Sequence, residues 1–234
     1  MLWGAVFAFV QCQMAVSINL MCRNRSAEET AFALRALPHI PNFFDGPNFL
    51  QGARINLACD KYLQCYLIAL GGGRHLATAA AIEKEADSLI FDSEFALVMD
   101  KLNQRSNFCE FVLSLPYLAE TYQRCAVAQC RRRATASSIS APATTTESVN
   151  PAARAYSYRL LATQTRALAN LFCRRRKYEI AERAFQDAII SATTGSAGDS
   201  IIFRPYYYSY VAFLYEHRRE DDALLILEKL QAFD

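Results

Sequence analysis

A charged break, Arg174-Arg175-Arg176-Lys177, separates two apolar runs, and the pairing of those runs constrains the fold more than any other feature of the chain. Before the break, Leu168, Ala169 and Phe172 fall at helical spacing; after it come Ala181, Phe185 and Ala188. Small residues at a crossing point let two helix backbones approach, while the larger residues fill the space on either side. The segment from Thr165 to Ile189 is therefore expected to form two antiparallel helices meeting near Ala169 and Ala181.

A poorer copy of this pattern lies between Tyr207 and Leu230. Tyr208, Val211-Ala212 and Leu214-Tyr215 precede a second charged turn, and Ala223, Leu227 and Leu230 follow it. The first copy resembles a tetratricopeptide repeat. Leu168 and Ala169 match that family's large and small first-helix positions, Phe172 its aromatic position, and Ala181, Phe185 and Ala188 the small, aromatic and small positions of the second helix. Thr165 stands where the family carries tryptophan or another large residue, and Thr193 where it carries proline. From Ala181 to Ala223 the spacing is 42 residues, against about 34 in the family. A Ser191 to Ser200 loop, with Gly195 and Gly198 in an exposed connection, would absorb the excess. The resemblance covers the C-terminal third only and implies a scaffold that binds proteins or short peptides.

The rest of the 234-residue chain also reads as helix. Ser26 and Glu29 form a capping pattern before an apolar face running to Leu37, and Pro38 to Asn48 reads as a turn-rich connector. Phe49 to Leu70 predicts a largely buried helix, ended by Gly71-Gly72-Gly73, with His75 to Ile90 returning antiparallel. A further helix is expected from a cap at Asp92 or Ser93 toward Gln104, and another from Asn107, kinked or divided by Pro116 before Tyr117 to Arg133. Ala134 to Asn150 contains little large apolar material and reads as a linker or surface loop. The expected class is all-α: α/α helical hairpins in a tetratricopeptide-like solenoid with divergent N-terminal helices. Its divisions are residues 1–133, a linker at 134–150, and hairpins over 151–234.

Charge and chemistry narrow the function. Ten basic residues and only Glu147 on the acidic side occupy Arg131 to Lys177, whereas Tyr178 to Asp234 carries five basic and ten acidic residues. The eight cysteines include no Cys-x-x-Cys pair, and the histidines His39, His75 and His217 lack metal-ligand spacing. Free thiols in a reducing, cytoplasmic setting are expected. Met1 to Val10 is apolar but lacks a basic leader, and Gln11 and Gln13 interrupt its continuation, so a core helix is favoured over a targeting segment or stable membrane span.

Glu28-Glu29, Glu83 with Asp87, and Glu220-Asp221-Asp222 read as helix starts or charged faces rather than acid–base pairs. Cys109, Cys125 and Cys173 would need activation to act as nucleophiles. No constellation requires an enzyme, no cofactor or metal is expected, and the leading reading is a protein-interaction scaffold. Tyr206, Tyr207, Tyr208 and Tyr210 are its candidate protein-binding residues, because tyrosine joins a large apolar area to a polar edge. Pro205 before them suits a first helical turn. The alternative is RNA or other nucleic-acid binding through Arg131, Arg132, Arg133, Arg174, Arg175, Arg176 and Lys177. A third is an enzyme whose site is assembled only in the fold.

Overall fold

The computed structural model describes residues 49–139, 151–196 and 199–232. The apolar opening, the helix expected from Ser26 and the Pro38 to Asn48 connector lie outside these residues. The described residues are all-α, with eight α-helices and no strand. They are α1 (Phe49–Leu70), α2 (Leu76–Ser88), α3 (Phe95–Phe111), α4 (Pro116–Ile139), α5 (Pro151–Arg174), α6 (Tyr178–Ser196), α7 (Ser200–Glu216) and α8 (Glu220–Gln231). Two compact units divide between Ala126 and Val127, within α4. Among the described residues no helix is long and apolar enough to cross a membrane.

In the first unit, α1 and α2 form a hairpin. Gly72 adopts φ 85° at the reversal, a left-handed conformation that glycine reaches without the Cβ clash met by other residues. Tyr62 donates to Asp87 at 2.6 Å, and Lys61 pairs with Glu85, fastening the two helices side by side. Tyr62 also meets Phe95 edge to face at 6.2 Å, within a core that encloses Leu63, Met99 and Leu102.

A short 3₁₀ turn, Asp92–Glu94, leads into α3. The structural cap there is Glu94, whose carboxylate accepts from the Phe91 amide at 2.9 Å, from Gln51 at 2.9 Å and from Arg54 at 2.6 Å. These donors hold its carboxyl below the ordinary range, the backbone bond from Phe91 contributing most. No break occurs at Asn107, since α3 continues to Phe111. Pro116 is the first residue of α4, where its missing amide would have had no helical partner. That helix runs past Arg133 to Ile139, with Ala134 buried, so the first part of the expected linker is helical.

The second unit contains the expected hairpin. Ala169 and Ala181 are fully buried on helices α5 and α6, which pack along much of their lengths. One end is closed by Arg175 to Lys177. At the other, Gly195 lies against Ala155, Tyr158 and Arg159, which makes the pair antiparallel. Of the Ser191 to Ser200 loop expected from sequence, Gly198 lies outside the described residues, and residues 191–196 are instead helix with Gly195 buried. A Cβ there would lie 2.8 Å from the Ala155 carbonyl oxygen and 3.0 Å from the Arg159 nitrogen. Its glycine serves close helix packing, not an exposed turn.

Helix α7 packs on α6 and α8 on α7. Asp199 caps α7 by accepting from the Ile201 amide at 3.0 Å. Pro205 lies inside α7 rather than in its first turn. Its ring removes the amide that would have bonded the Ile201 carbonyl, and that part of the helix is solvent-exposed, with Ile201 at 78%.

The two hairpin turns repeat in backbone detail. Lys177 N–H donates to Phe172 O at 3.0 Å and Arg176 N–H to Cys173 O at 2.9 Å; Arg219 N–H donates to Leu214 O at 3.0 Å and Arg218 N–H to Tyr215 O at 3.0 Å. These are paired Schellman closures, with Arg176 (φ 56°) and Arg218 (φ 57°) at the left-handed position where glycine is usual. The spacing from 176 to 218 is 42, as from Ala181 to Ala223. Phe172 and Leu214, at the same offset, are both enclosed.

Candidate helical interaction surface

The four candidate tyrosines sit within five positions of α7, so a helical turn distributes them around the helix. Tyr206 and Tyr210 face inward, at 8% and 6% exposure. Tyr206 shares a 2.9 Å hydrogen bond with Thr163 of α5, and the Arg166 guanidinium lies 4.9 Å from the centre of its ring. Tyr210 donates to Glu182 at 2.8 Å and accepts from Gln186 at 3.1 Å; burial raises its phenol's pKa. Its ring stacks with Phe185 and Phe213. Tyr207 is half-buried with its ring against Phe203 at 5.7 Å, and burial raises its phenol too. Tyr208 alone among the four is mostly presented to solvent, at 52%.

Tyr208 belongs to a longer row that extends beyond the clustered tyrosines. Ile201, Pro205, Tyr208, Ala212 and Tyr215 recur at four- and three-residue steps, and all five are exposed. Ile201 and Tyr215 lie one heptad before and after Tyr208, so the three large side chains share one face of α7. The signal was present in the sequence as 3.6-residue periodicity. Sequence alone did not reveal which of the two apolar faces of α7 would be covered.

The basic candidates divide between structural and surface positions. Arg131 is exposed and lies 3.9 Å from Asp187. Arg132 and Arg133 are half-buried. Arg174 ends α5, Arg175 is half-buried, and Arg176 forms the left-handed turn. Lys177 places its ammonium 5.7 Å from the Phe172 ring centre. The second cluster thus closes the hairpin, and positive charge at the α5 C-terminus also complements the helix dipole.

The cysteines and paired acids occupy environments set by packing and capping. Cys59, Cys65, Cys109, Cys125 and Cys130 are buried free thiols. Burial pushes the Cys59 thiol up to about 12, and burial with nearby Glu216 pushes Cys173 up to about 11. Both are protonated at neutral pH and lack thiolate reactivity. Glu83 accepts from Cys65 at 3.7 Å, while Asp87 holds Tyr62. Glu220, Asp221 and Asp222 occupy the first turn of α8. Among the described residues, no group of three or more His, Cys, Asp or Glu side chains could hold a metal ion.

A partly exposed polar network ties the start of α8 to α6 and α7. Arg219 donates to both Glu182 oxygens at 2.8 Å and to Asp222 at 2.6 Å, while Glu182 also accepts from Tyr210. His217 is flanked by Tyr178 at 4.2 Å and Phe213 at 4.4 Å. The site's usable chemistry is therefore a helix face held by well-packed neighbours. No known protein family, curated protein or solved structure matches the chain.

Proposed function

We propose that residues 151–234 form a short tetratricopeptide-like α/α solenoid that serves as a scaffold for a protein or peptide partner. The observation that carries this reading is the exposed row on α7, where Ile201, Tyr208 and Tyr215 are 78%, 52% and 43% exposed. Large apolar side chains aligned on a packed helix supply contact area at little ordering cost. The matching hairpin closures at Arg176 and Arg218 support the repeat interpretation, as does the Thr163–Tyr206 bond between the first helices of the two hairpins. The 42-residue offset follows from a long α6, which extends to Ser196 before α7 begins. The buried free thiols support a reducing compartment, and we assign the cytoplasm on that basis.

The test is capture of partners by the full chain, with identification by mass spectrometry at low and high salt. Wild type is expected to recover a defined protein that Ile201→Ala and Tyr208→Ala variants lose at both salt concentrations. Equal recovery by the variants would refute the role of this face. Recovery of RNA instead, lost when Arg174, Arg175 and Arg176 are replaced together, would favour the nucleic-acid alternative.

A further inference from the structure

Helix α5 carries Arg154, Arg159, Arg166 and Arg174 but no acidic residue over its whole length. Arg159 and Arg166 are seven residues apart, about 10 Å along the helix axis at its ordinary rise. Thr163 lies between them on the same face and bonds Tyr206 of α7. Arg166 rests on the Tyr206 ring at 4.9 Å, which leaves its positive charge without neutralisation. The Arg159 Nε is enclosed and has no hydrogen-bond acceptor. Neither guanidinium is ion-paired among the described residues. By contrast, Arg219, at the N-cap of α8, has Glu182 and Asp222. Two half-buried arginines without ion pairs thus flank Thr163 on the α5 face that carries the Tyr206 contact.

We propose that Arg159 and Arg166 anchor an acidic peptide segment, whose carboxylates sit about 10 Å apart to meet both forks. This inference rests on the scaffold reading and adds the partner's charge. A guanidinium presents paired donors that match a carboxylate in one plane, and a half-buried guanidinium gains more from such a partner than one fully in water. Single-stranded RNA fits less well here. The aromatic ring beside the arginines, Tyr206, is buried and hydrogen-bonded, so it offers no open face for a base to stack on.

The experiment is fluorescence anisotropy of the full chain with labelled octaglutamate, with octalysine and octauridylate as comparison probes, at several salt concentrations. Octaglutamate is expected to bind. Arg159→Gln and Arg166→Gln are each expected to weaken it about tenfold and to flatten its salt dependence. Arg176→Gln, which changes an exposed charge in the hairpin turn, is the comparison variant and is expected to bind as wild type does. Circular dichroism establishes that each variant is folded, and Arg166→Lys supplies a charge-retaining second variant, expected to recover part of the loss.

Absence of octaglutamate binding overturns the proposal, as does equal binding by wild type and both glutamine variants. Preference for octauridylate that depends on Arg159 and Arg166 overturns it in favour of RNA. Self-association of the chain that is lost with the same variants, without octaglutamate binding, overturns it in favour of a second copy as occupant. Partner capture through Ile201 and Tyr208 with no octaglutamate binding defeats only this inference and leaves the scaffold reading standing.

Discussion

Replacing Gly195 with alanine tests the packing of the α5–α6 hairpin because two effects oppose each other there. Alanine is the better helix former, worth up to about 1 kcal/mol in a helix interior. Gly195 is one residue from the end of α6, so the gain is at the low end of that range. Against it, the new Cβ would lie 2.8 Å from Ala155 O, 3.0 Å from Arg159 N and 3.0 Å from Tyr158 Cβ. These are backbone or Cβ atoms, so no rotamer change relieves the contact and the helices must separate by several tenths of an ångström. Overpacking of this kind costs about 1–3 kcal/mol. The expected net result is destabilisation by about 1–2 kcal/mol, read as a lower urea midpoint by circular dichroism and faster amide exchange across α5 and α6. Gly73→Ala is the matched comparison, because nothing lies within 4 Å of its added Cβ. An alanine at 195 that matches or exceeds wild-type stability would refute the close crossing.

Other perturbations have definite signs. Arg176→Gly and Arg218→Gly relieve left-handed strain at the two hairpin closures, and each is expected to raise stability by about 0.5–1 kcal/mol in urea melts. A loss of stability at both would count against the shared closure. Glu94 has a depressed carboxyl pKa in the folded state, so its stabilisation is present above its unfolded pKa and disappears as pH falls through the folded value. Glu94→Gln is therefore expected to cost about 1–3 kcal/mol at neutral pH and to reduce the acid dependence of unfolding. Tyr210→Phe removes a donor to Glu182 and an acceptor for Gln186 while keeping the stacked ring. The expected loss is about 1 kcal/mol in a denaturant titration, with Arg219 still holding the carboxylate.

The features most legible in the sequence were those carried by local periodicity. Ala169 and Ala181 marked a helical crossing because small residues there coincide with larger ones one turn away. The Phe49 to Leu70 helix and its glycine terminus were similarly visible, since helix pattern and breaker agree. Longer-range choices were less legible. Asn107 is a weak helix former and Ala134 opens a run containing Thr135, Ser137 and Ser138, yet both helices continue, with Cys109 and Ala134 buried. Gly195 looks like a loop residue until Ala155 and Arg159 approach it from another helix. The consecutive tyrosines illustrate the same limit at the surface. Composition identifies adhesive side chains, but the packing of α5 and α6 determines that Tyr206 and Tyr210 turn inward and Tyr208 outward.

The central structural claim is that the two hairpins pack in sequence, with α7 held against both α5 and α6. Nuclear Overhauser contacts between aromatic rings test it most directly. Phe185 and Phe213 have ring centres 5.3 Å apart, and the Tyr206 hydroxyl meets Thr163 at 2.9 Å. Cross-peaks between the Phe185 and Phe213 rings, and between the Thr163 methyl and the Tyr206 ring, are the expected result. Their joint absence in a folded sample that retains α5–α6 contacts would contradict the account.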